Sequence, residues 1–232
     1  MLQAIEVSKQ FGKEMAVDHV SLTVKSGSIV SLIGPSGGGK TSFLRCLASL
    51  DKPDGGTVKC AETKGKRRWP TVTMVFQQLF LWPHLTLRQN ILLPINLEQR
   101  MAAEAELVTL SRRFDIDLWL DKYPNQVSLG QQQRAALVRA FITKPKYLLL
   151  DEITSAQDVE HVAVLAKYLK ELRKNGVGIV LVTHLVGLAY SLSDQVYFLE
   201  RGRVIESGTR AIIKSPKGER LRKFMTFVEP IS

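Results

Sequence analysis

Residues 34 to 41 read Gly-Pro-Ser-Gly-Gly-Gly-Lys-Thr and match the pattern GxxxxGK[ST] at every fixed position. Glycines let a backbone wrap closely around phosphate oxygens. Successive amide N–H groups and a helix N-terminus then offer positive potential to the bound charge. The candidate phosphate-binding residues are therefore Gly34, Pro35, Ser36, Gly37, Gly38, Gly39, Lys40, Thr41 and the adjoining Ser42. Lys40 is expected to reach the β- and γ-phosphates of a nucleotide, and the Thr41 hydroxyl to bind Mg²⁺. A glycine-rich turn that merely precedes a helix is the bland alternative. The complete motif, after a strand pattern and before a helix pattern, argues against it.

A second chemistry-bearing pair lies well downstream, where the apolar run Tyr147-Leu148-Leu149-Leu150 ends in Asp151-Glu152. A strand here would deliver both acids to its C-terminal end, the place where open α/β sheets bind ligands. Asp151 suits a Mg²⁺ site, directly or through water. Glu152 suits a general base or water-positioning group beside a γ-phosphate. Taken alone, the pair fits a solvated acidic turn equally well; the phosphate loop upstream tips the reading.

The segment Val127-Ser128-Leu129-Gly130-Gln131-Gln132-Gln133-Arg134 closely resembles the signature of ABC-transporter ATPases, LSGGQ followed by QQR. Gln77, in Met74-Val75-Phe76-Gln77-Gln78, resembles the family's glutamine-loop residue. Ser155-Ala156-Gln157-Asp158 resembles its dimer-contacting loop, His184 its switch histidine, and Phe11 the aromatic residue that stacks on adenine. These elements stand in the family's order and cover nearly the whole chain.

The resemblance implies an α/β P-loop NTPase core, a RecA-like mixed sheet plus an antiparallel β subdomain, with an inserted α-helical lobe. The boundaries are about 1–78 and 141–232 for the core and about 79–140 for the lobe. It implies an ATPase whose domains close head to tail around two ATP molecules, each held between one phosphate loop and the other domain's signature. Carried over by position, Lys40 and Thr41 hold phosphates and Mg²⁺, and Gln77 touches Mg²⁺ and the attacking water. Glu152 activates that water, and His184 contacts the γ-phosphate. Ser128 and Gly130, with Leu129 and Gln131 in the same signature, act on the partner's ATP. The implied partners are a second ATPase subunit, identical or different, and integral membrane permease subunits. The implied place is the cytoplasmic face of the membrane. The wording of Leu79 to Asn90, including Trp82-Pro83-His84-Leu85-Thr86, of Asp151 to Ser155, and of Gly202 to Arg222 resembles importers of polar amino acids.

Three positions depart from the family pattern. Leu129 replaces the first signature glycine, Gln157 replaces a leucine in the dimer loop, and Val127 replaces the leading leucine. Leucine is compatible with helical dihedrals, so the helix start need not unfold. Two versions follow: Leu129 points away and hydrolysis proceeds, or the chain is a weak half-site that depends on another subunit. Losing one phosphate contact would cost roughly 2–4 kcal/mol.

The elements that must position these groups are legible as patterns. Ala16 to Val24 and Ser28 to Ile33 read as short strands, and Thr41 to Leu50 switches to helical spacing. Thr71 to Phe76, Tyr147 to Leu150 and Ile179 to Thr183 read as further strands. The stretch from Leu79 to Ala140 is mostly helical, broken by Pro83, Pro94 and Pro124. Ser128-x-x-Gln131 is a capping-box pattern before the helical run Ala135, Leu137, Val138, Phe141. Val159 to Lys174 is a helix ended by Asn175-Gly176. Gln195 to Leu199 and Arg203 to Glu206 form a hairpin. Trp82 and His84 read as packing or partner contacts.

The 232 residues are 45% hydrophobic and 23% charged, enough for one large domain with a sizeable core. No run reaches the roughly 20 apolar residues of a membrane span, and no signal-peptide pattern opens the chain, so retention in the cytoplasm is expected. Cys46 and Cys60 lack metal or disulfide spacing and read as reduced thiols. The net charge of +10 gathers partly at Lys64, Lys66, Arg67 and Arg68, and at Lys214, Lys217, Arg220, Arg222 and Lys223. Such clusters suit solvated surface or nearby lipid headgroups. Action on nucleic acid is the rival from another class. The absence of heptads, CxxC pairs and RNP-like aromatics argues against it. A non-hydrolysing regulatory module is a second rival, opposed by the intact Glu152.

Overall fold

The computed structural model describes residues 1–60, 70–154 and 156–228. Two sheets form. Strands β1 (Leu2–Phe11) and β2 (Glu14–Val24) make an antiparallel hairpin, and β4 (Gly55–Cys60) pairs antiparallel on the other edge of β1. The larger sheet has the order β5-β6-β7-β3-β8-β9. Its strands are β3 (Ile29–Ile33), β5 (Val72–Val75), β6 (Tyr147–Asp151), β7 (Gly178–Val182), β8 (Gln195–Glu200) and β9 (Arg203–Thr209). All of its pairings are parallel except β8 with β9.

Strands β3, β6 and β7 are buried at every residue. A strand covered on both faces has no solvent side to mark with polar residues, so it reads as an unbroken apolar run. One face packs on helix α1 (Lys40–Leu47) and the small sheet, through Phe43, Leu44, Leu47, Val20, Leu22, Leu149 and Val180. The other face packs on α5 (Val159–Lys174) and on the helical region α2 (Leu87–Leu92), α3 (Arg100–Arg113) and α4 (Leu129–Phe141). Leu107, Leu110, Phe114, Leu137 and Phe141 share one core with Leu148, Leu150 and Leu165. The helical lobe therefore leans on the sheet for part of its core. Helices α6 (Val186–Leu192), α7 (Ala211–Lys214) and α8 (Glu219–Val228) close the third cluster against Ile33 and Phe198.

Several expectations change. The small sheet was only half visible: β1 and β4 were not expected, and β2 is long rather than short. Register shifts in β1 between Ala4 and Val7, and again near Lys9, break its in–out alternation. The first helix stops at Leu47 rather than Leu50, with Ser49 in a left-handed conformation just beyond. Between Leu79 and Thr86 the chain is irregular. Buried Asn90 holds it there, its amide donating to Trp82 O and Leu85 O and its side-chain oxygen accepting from Trp82 N–H. Helix α5 starts and stops where expected. The Asp158 carboxylate accepts the His161 N–H at its start, and Gly176 takes a positive φ after its end. Both cysteines are free thiols, and burial pushes the Cys46 thiol up to about 11. The basic cluster at 64–68 lies outside the described residues. In the C-terminal cluster, Arg220 is paired with Glu200.

Candidate nucleotide site

In the large sheet the parallel strands β3, β6 and β7 are neighbours, so their C-terminal ends open on one edge. The phosphate loop follows β3, Asp151 and Glu152 close β6, and His184 follows β7. The topology alone brings together three segments that are remote in sequence.

The loop is wedged between other backbones. Gly34 has φ 143, and a Cβ there would stand 2.0 Å from the Leu199 carbonyl oxygen. Gly39 has φ 92, and its Cβ would stand 2.1 Å from the Ala16 carbonyl oxygen. Glycine is required at both positions by conformation and by space. The Gly202 N–H donates to Gly38 O at 3.2 Å, pinning the loop to the β8–β9 turn. Helix α1 then starts at Lys40 with no side-chain cap and no acid in its first turn. Uncapped amides at a helix start carry the positive end of the helix dipole.

Lys40 is only 4% exposed. Its Nζ donates to Gly34 O at 3.0 Å and Pro35 O at 2.8 Å. Burial pushes its pKa below the ordinary lysine value, and the charges of Glu152 and Asp151 partly offset this. A phosphate oxyanion is a stronger partner for an ammonium than two neutral carbonyls. Asp151 is 1% exposed, and its Oδ1 has no hydrogen-bond partner. Burial raises its pKa above the ordinary carboxylate range, and a hydrogen bond with the Thr41 side chain pulls it back. A buried carboxylate oxygen without a donor, beside a hydroxyl, is the donor set a hard divalent cation takes. The residues present fit Mg²⁺.

Glu152 has φ 48, a left-handed conformation costing a non-glycine residue about 1–2 kcal/mol. Its N–H donates to Val182 O at 3.0 Å, and its Oε1 lies 2.6 Å from His184 Nε2. Strain of this kind collects where a side chain must be aimed. A cleft of about 420 Å³ is lined by Phe11, Glu14, Ala16, Ser36 to Ser42, Gln77 and Glu152. Phe11 is half exposed at the end of β1, with Lys9 Nζ 5.5 Å from its ring centre. His184 lines a larger apolar groove next door, which Glu152 also borders.

The signature segment does not line this cleft. It builds the start of α4, where Ser128 and Gln131 make both halves of a capping box. Leu129 is 61% exposed on that first turn. Gly130 faces the dimer-loop segment, since a Cβ there would lie 3.0 Å from Ala156 O. Gln157 donates to Ile153 O at 3.4 Å, and Asp158 caps α5. Ser155 lies outside the described residues. Sequence reasoning missed Glu14, Ala16, Leu199 and Gly202 as walls of the site. Three of them act through backbone atoms or through having no side chain, which leaves no signal in residue type.

A strand–phosphate loop–helix unit facing a strand that ends in two acids defines a nucleotide-hydrolysing α/β cassette. The family described as "ABC transporter" matches residues 17–155, and the chain belongs to that family as an ATP-binding ATPase subunit. It is 38% identical to the arginine transport ATP-binding protein ArtM of Bacillus subtilis, over 97% of this chain and 98% of that protein. It is 35% identical to the glutamine transport ATP-binding protein GlnQ of Escherichia coli, over 98% of this chain and 100% of that one. Among solved structures, the fold resembles the dimeric post-hydrolysis state of the ATP-binding cassette MJ0796 bound to ADP and Pi. That match has TM-score 0.80 and 30% identity, and covers 90% of this chain and 99% of the other.

Proposed function

We propose that this chain is the ATP-hydrolysing motor of an importer of polar amino acids, acting as a dimer on membrane permease subunits. The observation that carries the catalytic part is one shared edge of the sheet. Lys40, the Thr41–Asp151 pair and Glu152 all stand at it. Phosphates sit on the amides of Gly37 to Thr41, and Lys40 exchanges its carbonyl partners for β- and γ-oxygens. Thr41 and Asp151, with Gln77 across the cleft, would hold Mg²⁺, which neutralises charge on the phosphates. Glu152 accepts the proton of a water whose oxygen attacks the γ-phosphorus as the bond to the β-phosphate oxygen breaks. His184, at 2.6 Å, orients that carboxylate and would reach the γ-phosphate from beside the cleft. Phe11 stacks on the adenine.

The signature and dimer-loop residues Ser128, Leu129, Gly130, Gln131 and Ser155 to Asp158 serve the second subunit's ATP. The described ones, Ser128 to Gln131 and Ala156 to Asp158, do not line this chain's own cleft, which supports that reading. No helix among the described residues is long and apolar enough to cross a membrane, so the permease supplies the attachment. The polar amino-acid cargo follows the names of ArtM and GlnQ. The intact capping box supports hydrolysis by the chain itself. A second reading, pairing with a different ATPase that carries a full signature, is favoured by one residue. Leu129 stands bare on the face that meets the other subunit's phosphates. The test is Mg²⁺-dependent phosphate release by the purified chain, with Glu152→Gln as control. Release abolished by that change supports the reading. ATP binding with no release moves the assignment to the partner-dependent version.

A further inference from the structure

We propose that Asp115 is a positioning residue that ties the lobe carrying the signature helix to the dimer loop. The proposal rests on the roles given above to Ser128–Gln131 and Ala156–Asp158. Asp115 follows α3 in a left-handed conformation, φ 51, with its side chain 73% exposed. The turn is anchored, because Arg113 just before it is bonded by two nitrogens to Glu171 of α5, at 2.7 and 2.5 Å. The same guanidinium lies 4.7 Å from the centre of the Tyr168 ring.

From that anchored turn Asp115 meets two groups. Its carbonyl accepts from Arg134 Nη2 at 3.3 Å, and its carboxylate lies 3.8 Å from the same nitrogen. The carboxylate is also 3.8 Å from His161 Nε2. The other ring nitrogen of His161 is 2.7 Å from Asp158 Oδ1, the oxygen that also accepts the His161 N–H and caps α5. Asp115, His161 and Asp158 thus form a chain from the helical lobe to the dimer loop.

Arg134 explains why the chain matters. Its side chain is 8% exposed and its Nε is buried without a partner. Two carboxylates support its charge, Asp115 from the lobe and Asp158 from the core. Arg134 Nη1 is also 3.7 Å from where a Cβ of Gly130 would be. A buried cation compensated from two sides holds both in register, and loss of one anion makes it lean on the other. Without the Asp115 charge, Arg134 pulls Asp158 away from capping α5, and the loop beside Gly130 loosens.

The test is hydrogen exchange on Asp115→Asn, which tolerates the left-handed conformation but removes the charge. Exchange at Ala156 to Val162 is expected to speed up about 3- to 30-fold, with peptides of the phosphate loop unchanged. In phosphate release, kcat should fall in Asp115→Asn while the KM for ATP stays within about twofold. Altered exchange confined to residues near 115, or spread equally to the phosphate loop, overturns the proposal, as does an unchanged kcat in an active chain. If the wild-type chain releases no phosphate, the proposed function fails on its own, and the exchange experiment still decides this one.

Discussion

Replacing Asp151 by asparagine should make the free protein more stable and useless as a motor. Asp151 is the most deeply buried acid of the site, and one of its oxygens has no donor. Its pKa is raised, with desolvation the largest cause. The sign follows from that direction. For an acid whose folded pKa lies above its unfolded value, ionisation costs stability. The cost is absent below the ordinary value near 3.8, grows as pH rises toward the folded value, and is constant beyond it. An unsatisfied buried polar group costs about 1–3 kcal/mol. Asparagine removes the charge but brings an amide that must find an acceptor, so the net gain should be about 1–2 kcal/mol. For a domain of this length that is about 2–8 °C in Tm. Melting curves of wild type and Asp151→Asn across acid to neutral pH measure the gap, which should close at low pH. Mg²⁺-ATP at a hundredfold excess over its Kd should stabilise wild type by about 2.7 kcal/mol and the variant far less. If the variant is no more stable at neutral pH, or the gap persists in acid, the buried carboxylate is not the strained group described here.

Other changes discriminate equally. Gly39→Ala should cost at least about 1 kcal/mol more than Gly37→Ala. Both have positive φ, but only the former drives a Cβ into the Ala16 carbonyl, while Gly37 faces open space; urea denaturation of the pair checks this. Ser128→Ala removes the oxygen that accepts the Gln131 N–H and should cost about 0.5–2 kcal/mol in the same assay. Leu129→Gly should move Tm by no more than a few degrees, because the side chain is mostly exposed and the change is one of helix propensity at a terminus. If Leu129→Gly also leaves phosphate release unchanged, the partner-dependent version loses its basis. A rise of about a hundredfold would mean that the leucine obstructs a phosphate contact.

What the sequence made legible was whatever depends on residue type at short range. The phosphate loop, the acid pair, the α5 boundaries and the α4 capping box are each written within a dozen residues or so, in types that admit few alternatives. The three buried strands were legible for the opposite reason, since full burial leaves no polar residue to blur the pattern. What stayed hidden depends on partners distant in the chain. Strand β1 has the right composition, but its register shifts scramble the alternation, and only pairing with β2 and β4 makes it a strand. Leu199 and Ala16 shape the loop through carbonyl oxygens that any residue could supply. Arg134 was visible as part of the signature. That it is buried, touches one carboxylate of the helical lobe and feels the charge of one from the core was not visible, because neither Asp115 nor His161 belongs to a motif. The division has a mechanical meaning. Residues that touch phosphate answer to the fixed geometry of the ligand and therefore recur as spacing. Residues that couple one lobe to the other need only meet each other, so any pair of opposite charge at the right place will serve. A contact between lobes that belongs to no motif can therefore be read only from the packing.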